Sequence, residues 1–134
     1  PHGRYWHISI RFFASTFQHG LDPYSIFRYL EKHGKIINLY TIHSRIPDFL
    51  DLDPENCYLG FEFLYSTEKN YEFILDAFEF VMYDSEIKIL SPERTHQEII
   101  DLMKSRKEPL LHLIRIFLYL ESISREACLL YTSD

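Results

Sequence analysis

The residues with the reach for chemistry are few and scattered. Asp48, Asp51, Asp53 and Glu55 crowd one proline-containing segment, which brings to mind the oxygen ligands of a calcium loop. Such a loop also needs a glycine at its sharp turn and a bidentate glutamate to close it. Neither stands at the required spacing, so these acids read as a solvated loop. His7, His19, His33 and His43 fall on a strand, on loops and at a helix end. No carboxylate or cysteine lies near them at ligand spacing, which argues against a zinc centre or a general base. The chain has no glycine-rich phosphate loop, no Gly-x-Ser-x-Gly elbow and no Cys-x-x-Cys pair. We therefore assign no catalytic, metal or cofactor residue, and expect this fragment to be no enzyme.

Composition narrows the remaining classes. With 134 residues, 46% hydrophobic and 25% charged, the chain suits one compact domain plus an appended piece. Eleven Phe and ten Tyr supply large apolar areas for a core. A formal charge of −6 repels a phosphate backbone, so nucleic acid is not an expected partner. Cys57 and Cys128 are far apart and form no ligand spacing, which fits a reduced, cytoplasmic protein. The most apolar run, Leu110 to Leu120, is broken by His112 and Arg115. It is shorter than the roughly 18 residues a membrane span needs, so no membrane insertion is expected. The chain begins at Pro1 without Met and is expected to be part of something longer.

The elements that must position any site follow from periodicity. Cys57 to Tyr65 alternates, with Cys57, Leu59, Phe61, Phe63 and Tyr65 on one face and Tyr58, Gly60, Glu62 and Leu64 on the other. It reads as the middle of a sheet, its odd face under helices and its even face partly exposed. Gly60 marks a bend or the close approach of another backbone. Tyr5 to Phe12 alternates as strand one, and Phe13 to Leu21 reads as a loop. Asp22-Pro23 supplies an N-cap and a first-turn proline for a helix to about Lys32. His33-Gly34 ends it as a C-cap signature, glycine being free to adopt positive φ. Lys35 to Ile42 is strand two. His43 to Asn56 is a loop with one helical turn near Asp48 to Leu50.

After the central strand the period changes to 3.6. Ser66 to Lys69 is expected to cap a helix whose face carries Tyr71, Ile74, Leu75, Phe78, Val81 and Met82. Glu86 to Leu90 is the fourth strand. Strand, helix, strand, strand, helix, strand is the order of the split βαβ, so the expected class is α+β. The expected architecture is a ferredoxin-like sandwich, a four-stranded antiparallel sheet with two helices on one face. The domain is bounded at residues 5–90. Residues 91–126 form a helical extension or linker, with helices from Pro92 to about Ser105 and from Pro109 to about Leu120. Residues 127–134, which contain Cys-Leu-Leu-Tyr-Thr-Ser-Asp, resemble read-through of a sequencing adapter and are expected to be non-native.

An RNA-recognition domain shares this topology, and Gly60-Phe61-Glu62-Phe63 superficially resembles its third strand. Its stacking aromatics must face solvent, whereas Phe61 and Phe63 fall on the side assigned to the helices.

Four blocks carry a closer resemblance. They are Trp6 to Phe12, then His19 to Pro23 leading into Phe27 to Leu30, then Gly34 to Ile36, and Asp53 to Glu62. In this order they resemble a domain of the chemotaxis histidine kinase CheA, which lies there between the phosphotransfer domain and the kinase core. The likeness covers about residues 5 to 90. The family usually has Asn-Gly-Met-Asp-Pro where this chain has His19 to Pro23. The resemblance implies a cytoplasmic, non-catalytic module of a two-component phosphorelay. Such a module docks response regulators of the CheY or CheB type near the phosphohistidine and contacts other domains of its kinase. No His-x-x-Lys-Gly phosphotransfer box and no glycine-rich ATP lid occur in the sequence given.

For a docking surface the expected residues are Tyr24, Arg28 and Glu31 on the first helix, with Tyr58 and Glu62 on the open sheet face. Aromatic anchors beside charges are what interfaces favour, though an ordinary solvated face carries the same types. A small-molecule-sensing module and a structural spacer are the competing classes.

Overall fold

The computed structural model describes residues 5–18, 20, 22–43, 58–120, 122 and 123. The expected turn at Asp48 to Leu50, the acidic loop, both cysteines, His19 and the 127–134 tail lie outside them. The alternation of strand one becomes β1, Trp6–Phe13, and is followed by a short helix α1, Ala14–Gln18, in the stretch expected to be a loop. Then come α2, Pro23–His33, and β2, Lys35–His43. Past the undescribed loop the chain forms β3, Tyr58–Ser66; α3, Tyr71–Asp76; a single 3-10 turn, Glu79–Val81; and β4, Ser85–Leu90. Two further helices follow among the described residues, α4, His96–Ser105, and α5, Leu110–Tyr119.

The fold is α+β. All strand pairings are antiparallel and the order across the sheet is β2-β3-β1-β4, so β1 and β3 occupy the centre. The aromatic face of β3 is buried as expected. Phe61, Phe63 and Tyr65 join Ile8, Ile10 and Phe12 of β1 against α2 and the α3 region, through Ile26, Phe27, Leu30, Ile74 and Phe78. Phe27 meets Phe61 and Phe63 edge-on at 4.9 and 5.6 Å between ring centres, a favoured aromatic geometry.

The other face is not open. Helices α4 and α5 cover it with a second apolar cluster, in which Ile99, Leu102, Met103, Leu113, Ile114, Ile116 and Phe117 pack with Leu64 and Ile42. The sheet is therefore the middle of three layers. The cause lies in α5: an apolar helix must bury its stripe, and the sheet face carrying Leu64 is the surface it finds. Within this layer α4 begins at His96 rather than Pro92, because Thr95 accepts the Glu98 backbone N–H at 3.2 Å as its N-cap.

Other local expectations also shift. Asp22 caps α2 by accepting the Tyr24 N–H at 3.0 Å, as its sequence implied. Gly34, however, sits at φ 179°, an extended conformation, and not at positive φ. Glycine is required there by proximity: a Cβ would stand 2.3 Å from the Ser66 carbonyl oxygen and 2.8 Å from the Tyr65 ring. The cap of α3 is Asn70, accepting from Phe73 N–H, rather than a residue of Ser66 to Lys69. That helix stops at Asp76, and i to i−3 bonds from Phe78 and Val81 tighten the chain into the 3-10 turn. Phe78 and Val81 stay buried by this route, while Tyr71 and Met82 of the expected face are exposed.

Gly60 carries a second proximity constraint. It lies directly across from Arg11 in the β1–β3 register, and a Cβ there would come within 2.6 Å of Arg11 Cδ. Because that arginine is buried and held at both ends, it cannot swing away. We predict that Gly60→Ala lowers stability by about 1–3 kcal/mol, the range for overpacking a filled interior. Urea unfolding would show this, and an unchanged midpoint would refute the constraint.

Candidate functional site

The alternation of β1 places His7, Ser9 and Arg11 on one face, and β3 sets Glu62 beside them, directly across from Ser9. All four are buried beneath the α4–α5 layer. Burying charges costs several kcal/mol per ion unless each meets partners of good geometry. Here the geometry is good. Glu62 Oε1 accepts from His7 Nε2 at 2.7 Å, while Oε2 accepts from Ser9 Oγ and from Arg11 Nη1, each at 2.6 Å. Arg11 Nη2 reaches on to Glu108 Oε1 at 2.6 Å. One guanidinium thus bridges two carboxylates, one from the sheet and one from the segment joining α4 to α5. Tyr58 donates its hydroxyl to the other oxygen of Glu108.

A second guanidinium closes the lattice. Arg106 donates to Ser9 Oγ from Nε and Nη2, at 3.0 and 2.8 Å, and to the Ser9 carbonyl at 3.1 Å. Its Nη1 reaches half-exposed Glu86 of β4 at 3.3 Å. Arg94 adds a bond to the Tyr5 carbonyl at 2.6 Å. The break Arg106-Lys107-Glu108-Pro109, which resembles a plain linker in sequence, is the anchor of the helical layer.

Protonation states follow from these contacts. Burial holds the His7 imidazole below its usual range, despite the carboxylate beside it. The ring is then neutral, with Nε2–H given to Glu62 and Nδ1 accepting the Ser122 hydroxyl at 2.6 Å. Burial alone would raise the Glu62 carboxyl. The hydrogen bonds from His7 and Ser9 and the charge of Arg11 outweigh it and hold the carboxyl below its ordinary value. Glu108 is lowered too, with burial again overcome by Arg11 and Tyr58. Burial and that neighbouring carboxylate push the Tyr58 hydroxyl up to about 12.

Ser122, His7 and Glu62 form a hydroxyl–imidazole–carboxylate chain, the constituents of a nucleophilic relay. Nucleophilic work also needs a substrate within reach. These residues are 6%, 0% and 0% exposed, and the His7 ring lies against Phe117, tilted by 44° at 4.5 Å between ring centres. Both Glu62 oxygens are already committed. The chain of bonds holds the end of α5 to the sheet. Among the described residues no group of His, Cys, Asp and Glu is placed to hold a metal ion.

The residues expected to bind a partner divide between two faces. Tyr24, Arg28 and Glu31 come together on an open groove of about 730 Å³ between α2 and β2, whose floor is Phe27, Ile36 and Leu39. Tyr24 is 64% exposed, edge-on to Phe27, and Arg28 lies 3.5 Å from Asp22. Tyr58 and Glu62 are on the opposite side of the sheet. Glu62 is fully buried and Tyr58 half-buried against Glu108, which corrects their expected exposure. The α4–α5 layer occupies the face on which they were to stand open. His7, Ser9, Arg11 and Arg106 received no role from sequence, although polar residues at alternate positions of a central strand were the available signal.

Removing one member of so closed a lattice leaves its partners buried and unpaired. We expect Glu62→Ala to lower stability by about 3–5 kcal/mol, and a loss under about 1 kcal/mol in urea unfolding would show the lattice to be slack. The pH dependence has a fixed sign. His7, Glu62 and Glu108 all have lowered values in the fold, so the unfolded chain binds protons more readily. The His7 contribution is complete above 6.5 and shrinks as pH falls below it. Those of the two glutamates are complete above 4.5 and are lost as pH falls towards their folded values. Stability measured against pH should therefore decline in two stages on the acid side, and His7→Gln should abolish the first. Compared with known proteins, the chain matches no family model, no curated protein and no solved structure, so what its surfaces do is read from its own residues.

Proposed function

We propose that this chain is a non-catalytic docking domain of a chemotaxis-type histidine kinase, and that it captures response regulators of the CheY or CheB class. The element order β1-α1-α2-β2-β3-α3-β4 on the strand order β2-β3-β1-β4 supports reading residues 5–90 as a ferredoxin-like unit, with the short α1 inserted before its first long helix and α4 and α5 as an added layer. The described parts of the four sequence blocks that resemble the CheA domain are Trp6 to Phe12 on β1, Asp22-Pro23 and Phe27 to Leu30 at the cap and in the body of α2, Gly34 to Ile36 at the start of β2, and Tyr58 to Glu62 on β3.

The observation that carries the docking role is the α2–β2 groove. It joins an exposed aromatic anchor, Tyr24, to charges of both signs, Arg28, Glu31 and Lys32, over an apolar floor. That combination is characteristic of protein interfaces, with a central anchor and a polar rim. The acid–base groups, by contrast, are consumed in holding layers together. A tether that holds regulators near a phosphohistidine raises their effective concentration and asks no chemistry of the tether itself.

Titration calorimetry at low salt, with purified CheY-type and CheB-type regulators, tests this. We expect saturable binding to at least one, weakened about tenfold or more by Tyr24→Ala, as for an interface anchor. Absence of binding to both would overturn the reading. Binding indifferent to Tyr24→Ala and to Arg28→Glu would move it off this groove.

A further inference from the structure

The two outer strands of the sheet are not alike. β2 is interrupted by a bulge between Ile37 and Leu39, where Asn38 takes φ 47°, and a bulge blunts an edge against further pairing. β4 runs without a bulge along β1, from Ser85 to Leu90. Among the described residues no strand lies beyond it. Its outer side is the floor of a slot of about 470 Å³, walled by Leu75 and Met82 from one helical layer and by Ser105 and Arg106 from the other. A regular edge in a slot between two layers is shaped to take one more strand.

Which backbone groups face the slot follows from the register. The Phe13 N–H donates to the Asp84 carbonyl at 3.4 Å, while the Asp84 N–H turns to Val81, so residues 13 and 84 stand at a bonded position at the head of the β1–β4 ladder. Bonded and non-bonded pairs alternate in an antiparallel ladder. Glu86, Lys88 and Leu90 therefore bond inward to β1, and Ser85, Ile87 and Ile89 turn their N–H and C=O groups outward. The side chains alternate too. Ile87 and Ile89 pack towards the aromatic core, whereas Glu86 and Lys88 are exposed on the side of α4.

We propose that this edge pairs with the same edge of a second copy, antiparallel and centred on Ile87. Outward-facing residues must bond to outward-facing residues, and two or more of Ser85, Ile87 and Ile89 in each copy do so only when a symmetric pairing is centred at Glu86, Ile87 or Lys88. Centring on Glu86 sets two glutamates against each other, and centring on Lys88 sets two lysines. Centring on Ile87 sets Glu86 of each copy opposite Lys88 of the other, in non-bonded pairs about 4.5 Å apart at Cα, where side chains are closest. It also sets Ile87 on Ile87, and Ser85 opposite Ile89, on the other face. Like charges directly opposite destabilise a ladder, and unlike charges stabilise it. The Glu86-Ile87-Lys88 triplet is thus self-complementary in one register alone. The two-fold axis this implies is the ordinary symmetry of a homodimer. Glu86 is half exposed beside Arg106, so it retains room for a second cation.

Sedimentation equilibrium on the full chain over a wide concentration range, with Glu86→Lys and Lys88→Glu variants, tests this assignment. The native chain should dimerise. Each variant alone places two like-charged pairs across the interface and should raise the dissociation constant about tenfold or more. An equimolar mixture of the two variants restores both opposite pairs, and should form a mixed dimer. If Glu86→Lys fails to fold because Arg106 loses its partner, Lys88→Glu combined with Ile87→Pro, which deletes an outward N–H, decides the matter. A native chain that stays monomeric would overturn the proposal, with Lys88 then acting as a guard on the edge. So would a dimer indifferent to the charge variants, or two monomeric variants that fail to associate on mixing.

Discussion

The guanidinium of Arg11, clamped between Glu62 on the sheet and Glu108 between the last two helices, is the constraint on which the rest of the structure turns. An apolar helix against an apolar sheet face is attracted strongly but not to one place, since burial is non-directional. Sliding α5 by one turn would exchange one set of aliphatic contacts for another. A guanidinium whose two terminal nitrogens each hold a different carboxylate admits no such slide, because its planar geometry fixes direction as well as distance. The ionic lattice adds little to net stability compared with a well-packed apolar replacement. What it supplies is a single position for the helical layer.

This division of labour sorts the two faces of the sheet. One is closed by rings: Phe12, Phe27, Phe61 and Phe63 interlock at edge-on angles against α2. The other is closed partly by aliphatic side chains and partly by charge, and Gly60 is where the two demands meet. Its missing side chain leaves the space through which Arg11 runs from the sheet to the helical layer. A larger residue would retain the strand and lose the bridge.

The sequence disclosed the first face far better than the second. Strict alternation in β1 and β3, and the Asp22-Pro23 entry to α2, are local signals that no tertiary contact reversed. The open second face was misread because both of its halves looked ordinary when taken separately. His7, Ser9, Arg11 and Glu62 resemble the solvated side of an exposed sheet, and Leu110 to Tyr119 resembles an appended helix. Only their juxtaposition, across a hundred residues of chain, turns a polar face and an apolar helix into one buried layer. The shortening of α3 has no local signal for a related reason. The 3.6 period through Val81 is real, but a tighter turn satisfies the same buried positions, Phe78 and Val81, and leaves Phe80 at 88% exposure. The Tyr24, Arg28 and Glu31 cluster was legible because one helix carries all three, whereas Tyr58 and Glu62 depended on what lay above the sheet.

With both faces of the sheet covered, its strands can be reached only at the margins. The α2–β2 groove occupies one margin, where a bulge at Asn38 discourages another strand and an aromatic anchor stands free. The slot along β4 occupies the other, where the edge is regular and its charges alternate in sign. The regulator docking and the edge pairing proposed above would use margins at opposite ends of the strand order, so neither occupant would obstruct the other. The same lattice that buries His7 and Glu62 also fixes the helical layer, and so keeps Arg106 in place as one wall of that slot, above Glu86 on its floor.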